Sequence, residues 1–135
     1  MLERISVTRM KGSFYNLATV AAIAFFALAL AWMFAPAQSL SIWGIEYSVG
    51  AGVVGRRCAA VYAGFGVMFF LARNSVPSSG RRALVMGVVV ACLILALLGL
   101  FEFAEGHAHL GILPAALIEI ALSVALLCVD RSPPT

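Results

Sequence analysis

The sequence predicts an all-α membrane protein, a single domain over residues 1–135 in which four transmembrane helices form an up-down bundle with both termini cytoplasmic. Three observations carry that expectation. The composition leaves too little polar surface for a water-soluble fold, four apolar runs have bilayer length, and Lys and Arg are divided unevenly between the connections. Of the 135 residues, 63% are hydrophobic and 11% charged, against about 45–50% and about 25% in soluble domains.

The helices are expected at about 14–35, 53–72, 82–103 and 110–129. Run one, 17–35, has Thr19 as its one plainly polar member, and run two carries Arg56 and Arg57 near its start. Run three, 83–101, is uncharged, and run four holds Glu119 near its centre. About 20 residues at 1.5 Å each cross the roughly 30 Å hydrocarbon core. Backbone groups in lipid must bond within their own segment, so the runs are helical. Arg4, Arg9 and Lys11 ahead of run one, with Ala35-Pro36-Ala37 behind it, resemble a signal peptide and its cleavage site. The run is long for an h-region, which favours an uncleaved helix.

With the N-terminus inside, Arg4, Arg9, Lys11, Arg73, Arg81, Arg82 and Arg131 are cytoplasmic, and Arg56 and Arg57 alone face out. That bias sets the orientation and places the chain in a bacterial-type inner membrane as a multi-pass protein. Short connections predict that consecutive helices pack as antiparallel neighbours. The 41–47 segment should lie along the outer interface, with Trp43, Tyr47 and Trp32 in the aromatic belt and Phe14 and Tyr15 at the inner one. The halves show no matching polar residues, so an inverted-repeat transporter is not expected. Without a basic stripe or charge run, nucleic acid is excluded as a partner; the expected partners are the bilayer and other membrane subunits.

Glu119 is the residue most expressive of chemistry. It falls about 13 Å below the outer surface, counted from Leu110, where a charge costs on the order of 3 kcal/mol. It should therefore face the bundle interior, paired or protonated, with Ser123 one turn on. The functional reading is a proton relay, an ion site or a hydrogen bond to a polar ligand such as a quinone headgroup. The plain alternative is a helix-to-helix tie. Arg56 and Arg57 oppose the positive-inside trend, and one of them, Arg57 by preference, is expected to reach Glu119, Glu102 or Tyr62; the alternative is outward snorkelling. Glu102, Glu105, His107 and His109 crowd one outer loop, a weak metal-site candidate whose spacing matches no known motif. The plainer reading is a solvated loop.

Cys58, Cys92 and Cys128 fall in three different runs, so neither a disulfide framework nor a zinc site is indicated. No HExxH, Walker, GxSxG or Rossmann pattern occurs, which argues against an enzyme. No cofactor is predicted, with quinone or lipid as the candidates should the polar site be filled. Small residues at Gly55, Ala59 and Ala63, beside Ala60 and Gly64, and at Ala18, Ala22 and Ala29, suit close helix packing.

The stretch Gly55-Arg56-Arg57-Cys58-Ala59-Ala60-Val61-Tyr62-Ala63-Gly64-Phe65-Gly66, closing in Leu71-Ala72-Arg73, resembles the second helix of small four-helix proteins related to the DoxX-like families. Arg81-Arg82-Ala83-Leu84 and Ala116-Leu117-Ile118-Glu119-Ile120-Ala121-Leu122 fit the same pattern, over roughly residues 40 to 129. The resemblance implies a four-helix bundle and importance for Arg57 and Glu119. Many such families are uncharacterised, and some members are membrane subunits of quinone-linked oxidoreductases; no catalytic motif of that activity is present. The first functional expectation is a small accessory or structural subunit packing against a larger membrane complex. The alternatives are a small redox or transport component using Glu119, and an outer-face metal binder using His107 and His109.

Overall fold

A break at Ala35-Pro36 sets the first boundary. Proline has no N–H and disfavours helical geometry in the residue before it, and Ala35 sits at φ −132°. The chain therefore turns off helix α1 (Leu2–Phe34) and restarts as the short α2 (Pro36–Ile42), with Pro36 in its first turn. Then follow α3 (Val49–Ala72), α4 (Ser79–Ala104), a 3-10 turn (Leu110–Ile112) and α5 (Leu113–Asp130). The computed structural model describes residues 2–130, with side chains from residue 13 onward. Arg131 and the side chains of Arg4, Arg9 and Lys11 lie outside the described residues.

Four helices are long and apolar enough to cross a membrane: Ser13–Phe34, Val49–Ala72, Ser79–Ala104 and Leu110–Asp130. No strand occurs among the described residues. The second and third helices begin four and three residues earlier than expected because serine caps them. Ser48 accepts from the Ala51 N–H at 3.1 Å and Ser78 from the Arg81 N–H at 3.2 Å, satisfying donors that a helix start leaves unpaired. The connection between the first two spans holds α2, which ends at Ile42 within the 41–47 segment expected along the interface.

Each spanning helix presents one seam to its neighbours, with steps of three and four. On α3 the seam is Gly52, Gly55, Ala59, Tyr62, Gly66 and Phe69; on α4 it is Arg81, Val85, Val88, Cys92, Ala96 and Gly99. On α5 Ile112, Ala116, Ser123 and Leu126 are buried, and Glu119 completes the same spacing. Alternating steps of three and four keep a stripe facing one partner. This corrects the expected row of Gly55, Ala59 and Ala63, whose uniform steps of four drift off the seam; Ala60 and Gly64 are exposed.

Helix α1 packs on α3, running antiparallel to it. Phe25 meets Tyr62, Phe65 and Phe69, while Trp32 lies over Gly55 and Phe26 over Gly66. Helix α4 packs on α5, again antiparallel, from Gly99 against Ile112 and Ala116 to Arg81 beside Asp130. The two pairs join chiefly along α1 and α5. The expectation that consecutive helices are packed neighbours thus holds for the first and last hairpins and fails in the middle. Helices α3 and α4 make few close backbone approaches, and share side chains in one buried cluster at Phe69, Val85 and Val88. One core nonetheless draws on all four spans, from Phe14 and Phe25 through Phe69 and Val88 to Leu126.

Candidate functional site

Depth within the bundle can be read from its ends. Phe14, Ser75, Arg81 and Asp130 gather at one end, so the spanning unit enters and leaves on the same face. At the other end, Ser13 to Trp32 measures about 28 Å along α1, close to a hydrocarbon thickness. Trp32 tilts on Trp43 at 5.3 Å between centroids, an aromatic pair suited to an interface. Trp32 also touches the Gly55 position, which sets Arg56 and Arg57 at the level of that boundary.

Glu119 lies about 9 Å inside the Leu113 end of α5 and about 16 Å from Asp130. Its seam neighbours Ala116 and Ser123 are 3% and 1% exposed, and Glu119 itself is half-buried. Tyr62 on α3 and Cys92 on α4 occupy the seams of their own helices, Tyr62 packed against the core and Cys92 within it. Cys58 stands one turn before Tyr62 on α3 and is exposed. The Ser123 hydroxyl donates to the Glu119 backbone carbonyl at 2.8 Å, so it is engaged within its own helix while facing Cys92. Among the described residues no side chain forms a hydrogen bond or ion pair with the Glu119 carboxyl. Tyr62 on α3, Cys92 on α4 and Glu119 on α5 all lie on the inward seams, so three helices bring a phenol, a thiol and a carboxyl toward an otherwise apolar core. Such groups can donate and accept hydrogen bonds to a polar group entering from outside the chain.

The expected arginine partner is not there. Arg56 and Arg57 are both exposed, and neither is paired among the described residues. The reason is angular. At about 100° per residue, position 57 stands about 200° from both Gly55 and Ala59, on the far side of α3 from the seam. Both side chains are exposed near the Trp32 end of the bundle, which is compatible with snorkelling.

The outer loop divides its candidate ligands. His107 Nδ1 lies 2.9 Å from Glu102 Oε2, both side chains exposed. His109 turns away and packs on Gly44, while its N–H donates to the Trp43 carbonyl at 2.7 Å. Glu105 caps the end of α4. No group of three or more His, Cys, Asp or Glu side chains that could hold a metal occurs among the described residues.

Comparison with models of protein families, with curated proteins and with solved structures finds no match. The fold and the site therefore speak through their own chemistry.

Two features escaped the sequence reading. The first is a lock at the Phe14 end of the bundle. Arg81 Nε lies 3.4 Å from Asp130 Oδ1, the side chains being 7% and 13% exposed. The Arg81 guanidinium also lies 3.8 Å from the Phe14 ring centroid, and its Nη1 donates to the Ser75 carbonyl at 3.4 Å. The second is an outer clasp. Beyond the His109–Trp43 bond, the Gly111 position lies directly on the Ile42 carbonyl, and Gly44 turns at φ +75° beneath the His109 ring. A side chain at either glycine would collide, and at Gly44 the backbone conformation also favours glycine.

Proposed function

We propose that the protein is a small redox or transport component of a bacterial-type inner membrane, with both termini cytoplasmic. It holds a polar, hydrogen-bonding ligand such as a quinone headgroup at Glu119. The observation that carries this reading is the placement of Glu119, Tyr62 and Cys92 on the inward seams of three helices, with a Glu119 carboxyl that ties to no other helix among the described residues. A purely structural acid would engage a donor across the bundle, because an unpaired polar group in low dielectric costs free energy. No catalytic residue is assigned. The test is extraction of protein purified from native membrane in mild detergent. A bound quinone or related amphiphile present with wild type and absent with Glu119→Leu supports the reading, and equal content in both overturns it.

A second reading, an accessory subunit seated against a larger membrane partner, is favoured by Arg56 and Arg57. They are exposed at the outer boundary with no acid paired to them among the described residues, and anionic groups of a partner would meet them. Co-purification of a partner, lost on replacing both arginines by alanine, supports it. The resemblance of the sequence to the DoxX-like four-helix proteins accords with either reading.

A further inference from the structure

Two exposed arginines on a spanning helix have no task in the Glu119 reading. As neighbours in the chain, Arg56 and Arg57 stand about 100° apart around α3. Ala60 and Gly64, both exposed, follow at about 40° and about 80° from Arg56. They lie between the two arginines in angle, one and two turns further from the Trp32 end. The lane they floor faces away from the bundle, about 150° from the middle of the Gly55, Ala59 and Tyr62 seam. A Cβ added at Gly64 meets nothing within 4 Å, so the lane is open there. The exposed side chains of Val61 and Val67 stand on either side of it.

Depth decides what can lie in this lane. Trp32 contacts the Gly55 position, one residue before Arg56, and tilts on Trp43. Tryptophan is enriched at the membrane–water boundary. About 24 Å of helix separates Arg57 from Arg73. With each side chain reaching outward along the axis, the two guanidinium groups bracket a hydrocarbon core of about 30 Å. Arg56 and Arg57 then stand at the level of lipid phosphates, and the Ala60–Gly64 lane at the level of the acyl chains. Among the described residues no carboxylate pairs with either arginine.

We propose that Arg56 and Arg57 hold the phosphate of a net-anionic phospholipid, one of whose acyl chains lies in the Ala60–Gly64 lane. Guanidinium groups match phosphate oxygens two at a time. A zwitterionic headgroup would also need an acceptor for its ammonium, and the helix neighbours of the arginines, Val53, Val54, Ala60 and Val61, are all apolar and exposed. A protein acid at this depth would have to give up water, whereas a lipid phosphate resides there already. The inference is independent of the Glu119 site. It gives to lipid the arginines that the accessory-subunit reading gives to a protein partner.

The test is native mass spectrometry of the full chain, purified in mild detergent and titrated with phosphatidylglycerol or phosphatidylcholine of matched chains. One phosphatidylglycerol per chain should be retained about tenfold more tightly than phosphatidylcholine, each arginine contributing a few-fold. Arg56→Gln/Arg57→Gln should bring the two lipids to parity. Arg82→Gln, which removes an exposed arginine at the opposite end, should keep the preference. Gly64→Leu fills the lane with the arginines intact and should weaken phosphatidylglycerol about threefold. The variants must melt within a few degrees of wild type; should the double variant not fold, Gly64→Leu and Arg57→Gln carry the comparison. Equal retention of the two lipids, a preference that survives the double variant, or one lost equally in Arg82→Gln overturns the proposal. Displacement of the lipid by inorganic phosphate overturns it too, because the lane would then hold no chain. So does a co-purified protein that departs with the arginines while lipid retention stays unchanged.

Discussion

Removing Asp130 from its partner should unfasten the Phe14 end of the bundle. In Asp130→Asn the Arg81 guanidinium keeps the Phe14 ring and the Ser75 carbonyl but loses the one acid paired with it among the described residues. At 3.4 Å and an effective dielectric near 20, the Coulomb attraction amounts to about 5 kcal/mol, which is a ceiling. The approach is through Nε, which makes no aligned hydrogen bond in spite of its burial, so the pair falls below that ceiling. Breaking a buried pair by removing one partner costs about 3–5 kcal/mol, and the ring, worth about 1–2 kcal/mol to a desolvated cation, offsets part of the loss. A destabilisation of about 3 kcal/mol is expected, roughly 150-fold in the unfolding equilibrium. Replacing both residues by leucine should restore stability to within about 1 kcal/mol, because the desolvation cost disappears with the pair. The assay is dodecyl sulfate titration of the purified protein in mild detergent, followed by Trp32 and Trp43 fluorescence. An Asp130→Asn transition superimposed on wild type would refute the buried-lock argument, as would a double variant weaker than the single one.

Three further outcomes follow from the geometry. Glu119→Gln should leave the same unfolding transition within about 0.5 kcal/mol, since the carboxyl ties no helix to another; a loss above about 2 kcal/mol would reinstate the helix-tie reading. Gly55→Val places a side chain where a Cβ already lies 2.7 Å from Trp32, so a loss of about 1–3 kcal/mol with a shift in Trp emission is expected, and unchanged emission would contradict that contact. Gly111→Ala meets the Ile42 carbonyl and should raise amide exchange at His109, whose N–H is held by Trp43, by at least tenfold; unaltered exchange there would dissolve the clasp.

The four spans were legible because bilayer thickness turns hydrophobic length into a helix count, with little competition from other periodicities. Glu119 stood out because acids are rare at that depth, and its seam position follows from the spacing of Ala116, Ser123 and Leu126. Arg57 was read as inward-facing from charge complementarity alone, although its angle from Gly55 and Ala59 already placed it on the outer face of α3. Arg81 and Asp130 illustrate the opposite difficulty. Arg81 registered as a topology signal, and nothing local in the sequence marks Asp130, the residue on which it closes, as its partner across the bundle. The sparse backbone contact between α3 and α4 was hidden for a related reason. A short connection shows that two helix ends are close and says nothing about the separation of their middles. Helix α2, by contrast, was announced by Pro36 following Ala35 and could have been anticipated from that pair.

The lock and the clasp also have a mechanical consequence. A body riveted at both rims cannot hinge open like a book; it can only bulge at its waist. Glu119 lies between the two fastenings, so bilayer thickness and lateral pressure bear most directly on the spacing of the helices beside that residue. Thicker or more ordered membranes would narrow it, and softer ones would let it widen, without either end coming undone.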